Sequence, residues 1–251
     1  MAILTTEAVV LRGWKLGETS KILSLFTQDF GKIRVVAKGG RGPKSKFKGC
    51  LEPLTHIRAI YYEKKTRDLQ LLSKTDLIDP HLKIIGNAKK TSLGLSAVEL
   101  VEKALESDEP HPDIFKLLTD TLKTINQTDT FVEGVLWYFE SNFIDLMGYK
   151  PTWDVCLTCE KSLGGAGGFF QPASGGLTCY PCTQEKGGLK ISAETLEILY
   201  WLQSCDISQA GNLQPAVMQK AEIRKMFDLY FKTHIEHMRS LKSLQLFYEL
   251  E

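Results

Sequence analysis

The sequence predicts an α+β chain of more than one domain: a small five-stranded barrel, then helices interrupted by a cysteine-rich insert. Three observations carry this reading. Five short runs rich in Val, Ile, Leu and aromatic residues crowd into the first eighty positions, separated by turn residues. After Pro80 the apolar residues recur at helical spacing instead. From roughly 151 to 188 the chain is rich in cysteine and glycine. A length of 251 residues with 43% hydrophobic and 24% charged content is enough for a substantial core of ordinary globular composition.

The strand candidates are "EAVVLRGW" (7–14), "KILSLFT" (21–27), "GKIRVVAK" (31–38), "LTHIRAIYYE" (54–63) and "DLQLLSK" (68–74), with Asp29-Phe30-Gly31 as a tight turn. Five strands in so short a span suit a closed barrel. The OB-fold is the commonest five-stranded one, and an SH3-like barrel fits the pattern nearly as well. Residues 83–107 read as one helix, followed by a break at "SDEPHPD" (107–113). Two further helices follow at 113–125 and 130–147, the second with Phe131, Val135, Phe139, Phe143 and Met147 at steps of four. Ser192 caps a helix "AETLEILYWLQ", and 216–238 reads as a final long helix. The expected division is therefore 1–80 for the barrel and 81–251 for a helical domain, interrupted by a zinc-binding module at 151–188.

Charge separates the two parts. Residues 1–80 hold 15 Lys+Arg against 8 Asp+Glu, and the remainder 16 against 22, beneath a net charge of only +1. The basic half is the candidate for nucleic acid or an anionic surface. No apolar run reaches the roughly 18 residues of a membrane span. The opening "MAILTTEAVVLRGW" has no cationic leader and carries Glu7 among its apolar residues, so it does not read as a signal peptide. A cytoplasmic protein with reduced cysteines is expected.

The cysteines carry the sharpest signal. Cys156-x-x-Cys159 and Cys179-x-x-Cys182 lie nineteen residues apart, the spacing of two knuckles that complete a tetrahedron of thiolates around one Zn2+. Four protein ligands leave no open position, which makes such a site structural. Two disulfides would need an oxidising compartment, and an iron–sulfur cluster suits the paired knuckles less well. The zinc-deaminase pattern is absent, because Pro181 lies inside the second pair. Cys50 and Cys205 read as small buried hydrophobes. Nothing else forms a catalytic constellation: there is no GxxxxGK[ST] phosphate loop. His234 and His237 read as helix surface, and Glu106, Asp108 and Glu109 as a solvated face.

Residues 32–48 hold Lys32, Arg34, Lys38, Arg41, Lys44, Lys46 and Lys48 and no acid. A solvated loop is the plain alternative, but the run links the third strand to the fourth, where a barrel presents loops beside its binding face. Gly39, Gly40, Gly42 and Gly49 would let the backbone approach a phosphate chain. Lys15 and the turn "KKTR" at 64–67, with Lys65 and Arg67, would add charge from neighbouring loops. Five charges on phosphates of a single strand would give a log–log salt slope of about −3.5. Phe47, Tyr61 and Tyr62 are candidates for stacking on bases, although Tyr61 and Tyr62 point to opposite faces of one strand.

The order of these pieces resembles the bacterial recombination mediator family RecO over the whole chain. The resemblance rests on "AVVLRGWKLGETSKILSLFTQDFGKIRVVAKGGRGPKSKF", on "GYKPTWDVCLTCEK" and on "FFQPASGGLTCYPC". It implies an N-terminal OB-fold, a helical domain with an embedded zinc finger, and no enzymatic activity. It further implies binding of single- and double-stranded DNA, annealing of complementary strands without ATP, and action with RecR to replace single-strand-binding protein (SSB) by RecA. The SSB tail is implied to dock in an apolar groove of the helical domain. The family's basic patch corresponds to Lys38, Arg41, Lys44, Lys46 and Lys48, with Arg34 weaker. "GGRG" at 39–42 stands where "GARR" is usual, one charge fewer. A nucleoid-associated cytoplasmic protein is implied, with no membrane and no small-molecule substrate. A zinc-containing RNA-binding translation or transcription factor is the alternative of a different class, and a pure protein adaptor is a third.

Overall fold

The structure is a computed structural model and describes residues 2–64, 66–183, 187–236, 238 and 240–250. They fall into two compact units, one formed by Met1–Gln127 with Lys242–Glu251 and one by Thr128–Leu241. The first unit therefore takes in helices beyond the change of texture at residue 80, together with the end of the chain.

The first unit begins with five strands: β1 (Ala2–Leu16), β2 (Ser20–Thr27), β3 (Gly31–Ala37), β4 (His56–Glu63) and β5 (Leu69–Asp79). They close into a barrel in the order β1-β2-β3-β5-β4, antiparallel throughout except where β3 runs parallel to β5. Alternation fills the inside: Ala8, Val10, Leu23, Leu25, Val35, Ile57, Ala59 and Tyr61 are almost wholly buried in one cluster. The β2–β3 turn uses Gly31 at φ +66°, where a Cβ would meet the Glu109 backbone at 2.2 Å. Only glycine fits there.

The helix expected at 83–107 is two helices. A short α1 (Leu82–Ile85) ends at Gly86, and α2 (Ala88–Ala104) restarts with Asn87 as its N-cap, whose side chain accepts from the Lys90 N–H at 3.1 Å. No proline announces this break. The strongly amphipathic α3 (Pro112–Gln127) follows. The final helix, α8 (Lys242–Glu249), belongs to this unit. The Glu99 carboxylate accepts from the backbone N–H of Lys242 and Ser243 at its first turn, at 3.2 and 3.0 Å.

In the second unit α4 (Val132–Leu146), α5 (Ala193–Ser204), α6 (Ile207–Ala210) and α7 (Val217–His234) surround a core of Leu136, Phe139, Leu199 and Phe227. Ser192 caps α5 as expected, accepting from Thr195 N–H at 3.3 Å. The long terminal helix stops at His234 rather than 238. Glu133 forms a bidentate ion pair with Arg224 at 2.6 and 2.7 Å. Glu140 is wholly buried, and among the described residues its Oε1 finds no hydrogen-bond partner. Burial, then the nearby Glu133 and Asp228 charges, hold its carboxyl well above the usual range. Among the described residues, no helix is long and apolar enough to cross a membrane.

Candidate nucleic-acid interface and metal centre

The basic run leaves the barrel after β3 and returns at β4. Its apolar residues decide its shape: Phe47, Cys50 and Leu51 are buried in the barrel core. The lysines around them, Lys38, Lys44, Lys46 and Lys48, are left exposed. Phe47 is 2% exposed and Tyr61 1%, so neither is placed to stack on a base. Burying a phenyl ring is worth about 2–3 kcal/mol, which explains why Phe47 serves the core. Tyr62, on the opposite face of β4, is partly exposed. Cys50 is a buried thiol as expected; Cys205 is only half-buried, at the end of α5.

Polar braces complete the loop. Arg41 donates to the carbonyls of Gly17 and Glu18, both at 3.2 Å, and its backbone N–H bonds Thr19 O at 2.7 Å. Lys21 Nζ donates to Leu51 O at 2.8 Å and to the Glu52 carboxylate at 3.0 Å. In the sequence Lys21 is merely a lysine opening a strand, and nothing marks it as a brace. Gly39 and Gly49, at φ +68° and +75°, make left-handed turns. Gly40 lies against Leu51, where a Cβ would sit 2.8 Å from Cδ1. Of the seven basic residues in the run, Lys32 turns inward, donating to Glu102 O at 2.6 Å. Burial pulls its ammonium below the usual lysine range despite the Glu102 charge.

The remaining cations divide. Lys15, exposed near the end of β1, stands opposite Lys21 in register. Arg34 and Arg67 line a separate polar cleft of about 300 Å³ with Asp29, Glu63, Asp68 and Asp108. Carboxylates outnumber arginines there, and they leave their mark on Tyr61. Its hydroxyl is pushed up to about 12 by burial and then by Glu63, Asp108 and Asp29. Such a cleft repels phosphate. Lys65 lies outside the described residues.

The insert of the second unit brings Cys156, Cys159, Cys179 and Cys182 together, with all four sulfurs within 4.8 Å of one another. A three-stranded sheet in the order β7-β6-β8 frames them, from β6 (Gly168–Gln171), β7 (Gly176–Thr178) and β8 (Leu189–Ile191). Trp153 packs on Phe170 at 5.5 Å, and Phe170 on Tyr230 of α7 at 5.4 Å. This aromatic stack gives the insert more apolar support than its composition suggests.

The sulfurs are free thiols, and Cys159 and Cys179 lie 3.9 Å apart, too far for a disulfide. A tetrahedron with Zn–S bonds of about 2.3 Å has edges of about 3.8 Å. The electrostatics fit a cation too. Burial opposes ionisation of Cys156. Hydrogen bonds from the backbone of Cys179, Cys159 and Thr158 outweigh it and lower the thiol to about 6. Cys182 is pushed up to about 12, chiefly by side-chain hydrogen bonding with Cys179 and Cys159. Four thiols this close cannot all ionise without a positive ion among them. The cluster can bind a metal ion, and the donors present suit it.

His234 Nε2 lies 2.8 Å from Pro172 O, and the ring packs on Tyr149 and Tyr230 at 4.9 and 4.4 Å. It props the insert against α7. His237 lies outside the described residues.

Two family models together cover most of the chain. Residues 1–81 match the family described as Recombination protein O N terminal, and residues 86–245 that described as Recombination protein O C terminal. A protein of Chloroherpeton thalassium named DNA repair protein RecO is 30% identical over 256 residues, covering 99% of each chain. Its namesake in Salinibacter ruber is 34% identical over 72% of this chain and 68% of its own. That of Thermoanaerobacter sp. is 28% identical over 94% of both.

Proposed function

We propose, from the premise that the chain belongs to the recombination protein O (RecO) family, that it is a DNA-binding recombination mediator acting in DNA repair. The observation that carries this reading is the braced loop, which holds Lys38, Lys44, Lys46 and Lys48 outward over a packed apolar base. The strand order β1-β2-β3-β5-β4 supports reading the barrel, residues 1–80, as an OB-fold. Residues 81–251 supply the helical part, shared between the two compact units, with 151–188 as the metal module.

Lysines on the loop neutralise phosphates and release counterions, which supplies sequence-independent affinity for single- and double-stranded DNA. Neutralisation also lowers the repulsion between two strands, so complementary strands anneal without ATP. Lys15 and the unused donors of Arg41 extend the path. Arg34 and Arg67, facing carboxylates, contribute less. Zn2+ held by Cys156, Cys159, Cys179 and Cys182 neutralises the thiolates and orders the insert. A four-thiolate site leaves no position for substrate, which supports a protein that is not an enzyme. Its partners are RecR and the tail of SSB, with RecA loaded as a consequence, in the nucleoid-associated cytoplasm.

The test is ATP-free annealing of complementary DNA strands coated with their cognate SSB, comparing wild type with Lys44→Glu/Lys46→Glu/Lys48→Glu. Annealing by wild type and its loss in the triple variant is the expected result. A folded, metal-loaded wild type that binds structured RNA and does not anneal DNA would favour the RNA-binding reading instead.

A further inference from the structure

The braced loop supplies charge but no ring, since its only aromatic residue is buried. The barrel wall beside it supplies the ring. Strand β1 carries a bulge between Val10 and Arg12, where Leu11 is skipped in the pairing with β2. Strict alternation from Ala8 and Val10, both inside the barrel, would point Arg12 and Trp14 inward as well. The bulge reverses them. Arg12 is exposed and Trp14 partly exposed, while Gly13 takes the inward place opposite Leu23.

Trp14 then opens a row that crosses the barrel wall in register: Trp14 opposite Ile22, Ile22 opposite Val36, Val36 opposite Leu71. All four are partly exposed, and with strands about 4.8 Å apart the row spans about 14 Å. Cations border it along the strands, Arg12 toward one end of the barrel and Lys38 toward the other. The Arg12 guanidinium lies 5.0 Å from the Trp14 ring centroid, holding the indole in place. An apolar strip with one large ring, edged by positive charge, matches a polymer of flat apolar groups on an anionic backbone. The faces of duplex bases are hidden in the stack; those of a single strand are not. Sheets of this width hold two or three stacked bases in other nucleic-acid modules.

We propose that the row Trp14, Ile22, Val36 and Leu71 is a base-stacking strip for single-stranded DNA, with Trp14 as its principal ring. This rests on the DNA-binding reading above and deepens it. The loop lysines bind any phosphate backbone, and the strip adds preference for unpaired strands.

The experiment measures affinity of wild type, Trp14→Ala and Trp14→Phe for a labelled oligothymidylate and for a duplex of equal length, across a salt series. Trp14→Ala is expected to weaken single-strand binding about fivefold to a hundredfold. Duplex affinity and the salt slope should stay unchanged, and Trp14→Phe should keep most of the affinity. Equal losses on both forms, or no loss on either, would overturn the strip while leaving DNA binding standing. Wild type that binds neither form overturns both. Photo-crosslinking of wild type to iodouracil-substituted single strands guards against misfolding of the variants. Crosslinks at Trp14 are expected, and crosslinks confined to the loop would refute the proposal.

Discussion

Two irregular, glycine-rich segments serve this protein, and they are ordered by opposite means. The loop after β3 has no metal ligands but places Phe47, Cys50 and Leu51 in an existing core. The insert at 151–188 has its own small sheet and an aromatic contact to α7, and at its tip it relies on four sulfurs. A segment that must display charge borrows a neighbour's core and leaves its lysines in water. A segment that must hold a fixed shape with little core draws the sulfurs together instead. The difference yields separate ways to break each.

Metal removal is expected to have the largest effect. Structural zinc contributes on the order of 10 kcal/mol to small modules. Stripping the bound metal by chelation, or substituting Cys156→Ser, should bring rapid hydrogen exchange across the insert while the barrel strands keep their protection. Unchanged protection of the insert would mean that Trp153 and Phe170 suffice to hold it. Next comes Phe47→Ala, expected to cost about 3–5 kcal/mol as a buried aromatic truncation. Its denaturation midpoint should fall and its DNA affinity with it, although no charge is lost. Bound-metal content should match wild type, and a loss of it would contradict the independence of the two segments.

Much of this architecture was legible because it follows from local pattern. The five strands announce themselves by alternation and turn residues, and the cysteine pairs by spacing. What was not legible depends on contacts distant in sequence. Phe47 sits in a polar, basic stretch and reads as exposed until the barrel closes over it. The break at Gly86 and Asn87 carries a cap rather than a proline, so periodicity runs through it. Lys21 shows its role only once Leu51 and Glu52 fold back beside it. Arg34 belongs to the basic run in sequence, yet strand geometry turns it toward four carboxylates. The bulge at Leu11 hides Trp14 in the same way, because one extra residue reverses every later side chain.

Arg41 sharpens the comparison at smaller scale, since it is both a charge and a brace. Arg41→Ala removes two hydrogen bonds to the carbonyls of Gly17 and Glu18 and is expected to cost about 1–3 kcal/mol of stability. If Arg41 also meets a phosphate, the single-strand salt slope should shrink by about 0.7. A stability loss with an unchanged slope would assign it to bracing alone.

The smallest expected effect separates the two compact units by pH, through two carboxyls whose ionisation the fold shifts in opposite directions. Burial raises the Glu99 carboxyl, but hydrogen bonds from Lys103, Ser243 and Lys242 outweigh it and leave it below the usual range. A lowered carboxyl means that the unfolded chain binds the proton first as pH falls. The contribution of Glu99 to holding α8 is therefore complete above about 4.5 and is lost below it. Glu140 has the reverse sign. Its buried protonated form fits the fold, so the unfolded chain releases the proton first as pH rises. Stability of the second unit is then complete below about 4.5 and declines above it. Glu140→Leu removes both this slope and the unpartnered Oε1, and should stabilise that unit by about 1 kcal/mol at neutral pH. Hydrogen exchange of α4 and α7 from about pH 4.5 upward, compared at matched intrinsic rates, reads the difference. Protection that falls with pH in wild type and stays level in Glu140→Leu is the expected outcome. Parallel slopes in both proteins would place the titrating group elsewhere in the unit.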